Sequence, residues 1–205
     1  MAKRTFPLVR VVDDNDDFRQ SEVFMLRMMG CNVADYASAL DFLENDDPQT
    51  PGLVILDVRM PEMDGLELQD VMNERAIGLP IIFLTGHGDI EMAVRAVQKG
   101  VIDFLQKPAK PEKLRAAVER ALAKCEEKAA EDEGLEEARA AFEKLTEREK
   151  EVSRYVARGL LNKQIAFELG ISEHTVKVHR AAARYKLKAR TPIDFVNRLK
   201  ALGEI

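Results

Sequence analysis

Short apolar runs alternate with amphipathic stretches along the first 123 residues of the chain. The runs predict strands buried on both faces, and the stretches between them have the period of a helix. The predicted strands are Leu8–Val12, Val33–Tyr36, Leu53–Leu56, Pro80–Leu84 and Ile102–Leu105. The predicted helices are Phe18–Met29, Ala39–Leu43, Leu66–Met72, Ile90–Lys99 and Glu112–Ala123. This order predicts an α/β domain over residues 6–123, a doubly wound five-stranded parallel sheet with helices on both faces.

Residues 124–144 carry no strand pattern and are rich in Ala, Glu and Lys. Leu135, Ala138, Phe142 and Leu145 recur at the spacing of one helical face. The segment predicts a helical linker with one break at Gly134. A short helix that pairs with a second copy and a solvated helix without a partner fit this pattern equally well.

The pattern changes again from residue 145, where four amphipathic helices are predicted. Thr146 and Glu149 have the spacing of a capping box, and Pro192 follows Thr191 at a first helical position. The predicted N-terminal caps are Thr146, Asn162, Ser172 and Thr191. We expect a compact all-α domain over residues 145–205. Its second and third helices are separated by a tight turn at Gly170, which is helix-turn-helix spacing.

Composition restricts the class of protein but does not identify it. A hydrophobic content of 46% with 33% charged residues is typical of a soluble globular protein. No apolar run approaches the roughly 18 residues of a membrane helix, and acids occur too early for a secretory signal. Cys31 and Cys125 have no metal-ligand spacing, so we expect reduced thiols in a cytoplasmic protein.

The charge is distributed unevenly along the chain. Residues 1–134 hold 26 acids and 16 bases, a net charge of −10, whereas residues 135–205 hold 10 acids and 15 bases, a net charge of +5. An acidic body with a basic end predicts two domains, of which the second meets a polyanion.

Polar residues follow four of the predicted strands. Asp13 and Asp14 come after the first strand, Asp57 after the third, Thr85 after the fourth and Lys107 after the fifth. Each residue alone is an ordinary loop residue. Because the carboxyl ends of parallel strands meet at one edge of the sheet, their joint placement favours a shared site.

Three carboxylates at one edge repel one another unless their pKa values rise or a cation binds among them. Oxygen ligands with room for water suit Mg²⁺. Such an ion also screens the charges that oppose attack of a carboxylate on a phosphoryl group. Thr85 can donate a hydrogen bond to a phosphoryl oxygen, and Lys107 can pair with another. The pattern predicts an aspartyl-phosphate site.

Residues 6–123 resemble the receiver domain of two-component response regulators in the stretches VVDDNDD, LVILDVRMPEMDG, FLTGHGD and DFLQKP. The resemblance implies a flavodoxin-like sheet of strand order 2-1-3-4-5. It implies that Asp57 accepts a phosphoryl group from a histidine of a sensor kinase. It also implies an Mg²⁺ site in which Asp14 binds directly and Asp13 through water, completed by Asp57 and the backbone carbonyl of Arg59.

The same resemblance makes Thr85 and Phe104 a switch pair. Thr85 would move toward the phosphate, and Phe104 would turn inward behind it. This sequence departs from the family at Ala109, where relatives often carry a bulky apolar residue. The packing of the last helix of the domain is therefore left open.

The third helix of the basic domain carries a stripe of cations, and no acid occurs between Glu173 and Asp194. Helical spacing directs Val176, Ala183 and Leu187 toward the core. It directs outward, along one stripe, the residues Lys177, Arg180, Ala181 and Arg184. Such a stripe fits contacts with DNA phosphates and bases. The alternative, a solvated basic face, is less favoured because the usual interspersed acids are missing.

Residues 145–203 resemble the output domain of the LuxR and NarL/FixJ regulators, with TVKVHR as the most specific stretch. The resemblance implies that Lys177 and Val178 face the major groove. Ala181 stands where some relatives carry a base-contacting lysine, and we expect Arg184, Lys186 and Lys188 to meet phosphates. Ala183 replaces a larger aliphatic residue, so Tyr185 or Phe195 has to fill the space.

These patterns together predict a phosphorylation-controlled transcription factor of the FixJ/NarL type. We expect three partners, namely a sensor histidine kinase, double-stranded DNA and a second copy of the chain when phosphorylated, and no membrane. One alternative is an Mg²⁺-dependent phosphatase that also forms an aspartyl phosphate, but a second acid two positions after Asp57 is absent. Another is a phosphate sink whose output domain no longer binds DNA.

Overall fold

The structure is a computed structural model that describes residues 7–86 and 99–204. The chain divides into two compact units, Met1–Lys128 and Ala129–Ile205. The predicted helix Ile90–Lys99 lies outside the described residues except for Lys99. Within the described ranges, no helix is both long enough and apolar enough to cross a membrane.

The first unit is built on a five-stranded sheet. Its strands are β1 (Leu8–Val12), β2 (Asn32–Tyr36), β3 (Gly52–Asp57), β4 (Ile81–Thr85) and β5 (Asp103–Gln106). The helices described here are α1 (Asp16–Met28), α2 (Ala39–Asn45), α3 (Gly65–Glu74) and α4 (Pro111–Glu143). All strand pairs are parallel, in the order β2-β1-β3-β4-β5. The predicted fold class and strand order are confirmed.

Alternate residues of the central strands enter two separate cores, one on each face of the sheet. In β3, Leu53 and Ile55 belong to the core shared with α1 and α4, whereas Val54 and Leu56 belong to the core shared with α2 and α3. Because both faces are covered, the strand has no polar position until it ends at Asp57. Ala109 packs against the first of these cores, next to the start of α4.

Arg10 is the exception to the apolar pattern, since it is fully buried in β1. Its guanidinium donates to Asp46 Oδ1 at 2.7 Å and to the carbonyls of Asp47 and Thr50 at 2.9 Å. The Tyr36 hydroxyl donates to the same Asp46 oxygen at 2.7 Å. This network satisfies a charge that would otherwise be very costly to bury, and it ties the loop after α2 to the sheet.

The second unit contains four helices that follow α4. They are α5 (Glu147–Ala157), α6 (Asn162–Leu169), α7 (Glu173–Lys186) and α8 (Pro192–Ala201). The capping box of Thr146 and Glu149 is present, and Ser172 and Thr191 cap their helices as predicted. The predicted cap at Asn162 is wrong, because Leu161 is the N-cap and Asn162 is the first helical residue.

Helix α4 runs through Gly134 without the predicted break and reaches Glu143. A single glycine costs about 1 kcal/mol relative to alanine in a helix interior, which is too little to end a helix with other support. That support comes from the second unit, in whose core Phe142 and Leu145 are buried. The apolar stripe of the linker is therefore partly core of the second unit, an outcome that neither prediction for this segment included.

Val176, Ala183 and Leu187 are fully buried, which confirms the predicted core face of α7. Phe195 of α8 is 1% exposed and belongs to the same core, whereas Tyr185 is 86% exposed. Of the two aromatic residues that the sequence suggested for this core, Phe195 is buried in it and Tyr185 lies on the surface.

Candidate functional sites

The carboxyl ends of β1, β3, β4 and β5 bring together the polar residues that the sequence placed after these strands. The register pairs Val12 with Leu56, Asp57 with Leu84 and Thr85 with Gln106, so the four strands end close to the same level. Asp13 is 1% exposed and Thr85 is also buried, while Asp57 is half-buried. The predicted cluster is therefore present at one edge of the sheet.

Lys107 lies at the centre of this cluster. Its Nζ forms an ion pair with Asp13, and it lies 3.0 Å from Asp57 Oδ2. The ring of Phe18 lies below the ammonium, with its centroid 5.2 Å from Nζ. Burial lowers the pKa of Lys107, but its hydrogen bonds to Asp13 and Asp57 outweigh burial, and the pKa is raised. The ammonium is accordingly charged throughout the neutral range.

Asp57 combines partial burial with few donors. Burial raises the pKa of this carboxyl, and the hydrogen bond from Lys107 offsets only part of the rise. The backbone N–H of Arg59 donates to Asp57 Oδ1 at 3.4 Å. A carboxylate that is weakly solvated and held by one strong donor is suited to nucleophilic attack.

Asp13, Asp14 and Asp57 each offer one carboxylate oxygen, and these oxygens lie within 4.8 Å of one another. Their exposure increases from Asp13, which is buried, to Asp14, which faces solvent. Three hard oxygen donors with an open side suit a divalent ion that keeps some of its water, as Mg²⁺ does. The donor set therefore fits the predicted metal, and Lys107 supplies the compensating charge in this structure.

Thr85 and Phe104, the predicted switch pair, lie on neighbouring strands. Phe104 is half-buried in the core shared with α2 and α3, where its ring centroid is 6.1 Å from that of Phe83. Thr85 ends β4 two residues beyond Phe83. The two residues thus lie on adjacent strands, with Thr85 buried and Phe104 half-buried.

Glu22 is a titratable residue of this region that the sequence reasoning missed. It is 7% exposed on the face of α1 that also buries Arg19, Val23 and Leu26. Burial raises its pKa to about 8, and the charges of Asp13 and Asp57 act in the same direction, against that of Lys107. The signal was available, because Glu22 occupies an apolar position of the helical repeat.

The free face of α7 carries two rows of side chains in the second unit. One row is cationic and contains Lys177 and Arg184, at i and i+7. The other contains Val178, Ala181 and Tyr185, at i, i+3 and i+7, and all three are exposed. Lys188 lies beyond the last residue of α7, and its ammonium is 3.6 Å from a carboxylate oxygen of Glu137.

Two basic residues that were predicted to meet DNA have partners within the second unit. Arg180 is half-buried and donates to Asn162 Oδ1 at 3.2 Å, so it lies beside the free face and not on it. Lys186 lies 2.6 Å from the buried carboxylate of Glu149. Burial raises the pKa of Glu149. The hydrogen bond from Lys186 and the capping contacts of Thr146 lower this pKa by a larger amount, so the net effect is a decrease. Arg180 is therefore only partly exposed at the side of the predicted stripe, and Lys186 forms an ion pair within the unit.

Both units match known protein families. Residues 9–119 match the response regulator receiver domain, and residues 143–197 match the bacterial regulatory proteins of the luxR family. The chain is 41% identical over 189 residues to the response regulator protein TmoT of Ectopseudomonas mendocina, covering 92% of this chain and 86% of that protein. It is 40% identical over 183 residues to the transcriptional regulatory protein FixJ of Rhizobium meliloti, covering 89% and 90%.

Solved structures show the same architecture. The low-resolution structure of the response regulator StyR aligns with a TM-score of 0.77 at 41% identity, over 96% of this chain and 99% of that chain. Full-length FixJ from B. japonicum aligns with a TM-score of 0.56 at 34% identity, over 97% and 98%. The chain belongs to the response regulators that join a receiver domain to a LuxR-type DNA-binding domain.

Proposed function

We propose that Asp57 accepts a phosphoryl group from a phosphohistidine of a sensor kinase. A carboxylate oxygen of Asp57 attacks phosphorus, the O–P bond forms, and the P–N bond breaks with its electron pair on the imidazole. The observation that carries the proposal is the contact of one buried ammonium, Lys107, with both Asp13 and Asp57. That contact supports the proposal, because a positive charge beside Asp57 favours a phosphoryl group bound there.

The other residues of the edge have supporting roles in this proposal. Lys107 releases its contact with Asp57 and pairs with a phosphoryl oxygen, and the hydroxyl of Thr85 donates to another. Asp13, Asp14, Asp57 and the carbonyl of Arg59 would hold Mg²⁺, and the bound ion would neutralise charge on the phosphoryl group. When Thr85 moves toward the phosphate, Phe104 turns inward behind it, and this rotation changes the surface at β5.

The second half of the proposal concerns DNA. Lys177 and Val178 lie in the first two turns of α7 and contact base edges in a major groove, while Arg184 and Lys188 contact phosphates. Ala181 lies between them on the free face, and Arg180 supports the helix from its side. We infer that phosphorylation promotes a homodimer that reads two half-sites and that the protein acts in the cytoplasm.

Mass spectrometry after incubation with acetyl phosphate and Mg²⁺ tests the phosphorylation step. We expect one added phosphoryl group in the wild type and none in Asp57→Asn, because the amide is a poor nucleophile. Asp70→Asn is the matched control, since Asp70 is an exposed acid of α3 that pairs with Lys99. Phosphate retained by Asp57→Asn would move the acceptor elsewhere. Continued turnover of acetyl phosphate without a stable adduct would favour a phosphatase.

A further inference from the structure

Tyr185 is an exposed aromatic residue in the middle of a charged surface. Its side chain is 86% exposed, although the core of the same unit takes up Phe195. Single exposed apolar residues are common on proteins, so exposure alone identifies nothing. The position of Tyr185 is more specific, because it lies on the free face of α7 between Arg184 and Lys188.

The neighbour of Tyr185 along its row is small. Side chains of a helix lean toward its N-terminus, so a long side chain covers the surface over the preceding turn. For Tyr185 the preceding turn carries Ala181, whose single methyl group leaves that surface open. Helical spacing therefore puts the exposed Tyr185 in one row with Val178 and Ala181, and the cationic row lies beside it.

We propose that Tyr185 is a specificity-determining residue that packs its ring against a thymine methyl group in the major groove. The inference rests on the proposed DNA binding by α7 and deepens it. Arg184 of the neighbouring row contacts phosphate and carries no sequence information, whereas an apolar side chain distinguishes thymine by its C5-methyl group. The ligand is double-stranded DNA with a thymine under the second half of α7.

The test uses the full chain, treated with acetyl phosphate and Mg²⁺, and a duplex library randomised over about two helical turns. Duplexes selected by the wild type are then titrated with wild type, Tyr185→Ala, Tyr185→Phe and Phe167→Ala. Phe167 is the matched control, because it is an aromatic residue of the same unit with 85% exposure, on α6. Each selected thymine is also replaced singly by uracil, which removes only the methyl group.

We expect Tyr185→Ala to weaken the selected duplex by about tenfold and to leave a scrambled duplex unchanged. Tyr185→Phe keeps most of the affinity, and Phe167→Ala keeps all of it on both duplexes. One uracil position weakens the wild type but no longer weakens Tyr185→Ala, since the methyl group has lost its partner.

Three outcomes would overturn the proposal. Equal loss on selected and scrambled duplexes makes Tyr185 a backbone contact, and no loss on either removes it from the interface. A uracil penalty that persists in Tyr185→Ala at every thymine assigns the methyl contacts to other residues. If the wild type selects no sequence at all, the proposed DNA recognition itself fails, which is a different result from any of these three.

Discussion

At the residue scale, Lys107 shows how a single side chain can hold a charged site in a resting state. The ammonium contacts Asp13 and Asp57 and rests on the ring of Phe18. It thereby neutralises carboxylates that would otherwise repel one another. In the proposed reaction a phosphoryl group at Asp57 uses the same ammonium, so we expect the contact between Lys107 and Asp57 to be exchanged.

Glu22 gives a prediction about pH. Its pKa is about 8 in the fold, against 4.5 for the ordinary side chain, so between these values only the folded state holds the proton. The free energy of unfolding therefore falls as the pH rises through this interval and levels off above it. The full change is at most about 5 kcal/mol, from 1.36 kcal/mol per pKa unit.

We expect Glu22→Gln to remove this dependence, since glutamine does not ionise. Urea titrations at about pH 5 and about pH 8 compare the variant with the wild type. The variant should be more stable than the wild type at the higher pH and close to it at the lower. Glu44→Gln, an exposed acid of α2, is the control. A wild type that is equally stable at both pH values would contradict the prediction.

At the element scale, β1 depends on one buried ion pair. Removing one partner of such a pair costs about 3–5 kcal/mol, because the other charge is left buried without compensation. We expect this loss of unfolding free energy for Arg10→Met, which leaves the Asp46 carboxylate without its ion-pair partner. We expect a smaller loss for the double variant Arg10→Met with Asp46→Leu, because it removes both charges. Denaturant unfolding of the wild type, the two single variants and the double variant measures the coupling energy between Arg10 and Asp46. Additive losses would show that Arg10 and Asp46 act independently.

The elements also show what sequence patterns can and cannot predict. Strands β1 to β5 and the cluster at their ends were predictable, because burial on both faces and parallel order are local properties of the pattern. Arg180 and Lys186 were not, because the spacing of α7 says nothing about which helices dock beside it. Their partners, Asn162 and Glu149, come from α6 and α5. The burial of Glu22 was not predicted, because an acid on a helix is usually assigned to the solvent face.

At the scale of the whole molecule, we expect phosphorylation of the receiver domain to shift the equilibrium between monomer and dimer. A ligand shifts an equilibrium only by its different affinity for the two states, so phosphate at Asp57 must favour the dimer over the monomer. We expect sedimentation analysis to give a lower dimer dissociation constant for the phosphorylated wild type. Asp57→Asn, treated in the same way, should stay at the unphosphorylated value. Equal dissociation constants for both would assign the switch to a mechanism other than dimerisation.

Helix α4 has a consequence for how such proteins can be recombined. Its first turns bury Leu114, Ala117 and Val118 in the receiver core, and its last turn places Phe142 in the core of the output domain. The luxR family match begins at residue 143, one position after that phenylalanine. An exchange of output domains at the family boundary would leave Phe142 behind and open a cavity under α5. A hybrid regulator that keeps its stability has to carry the end of the receiver's last helix along with the DNA-binding domain.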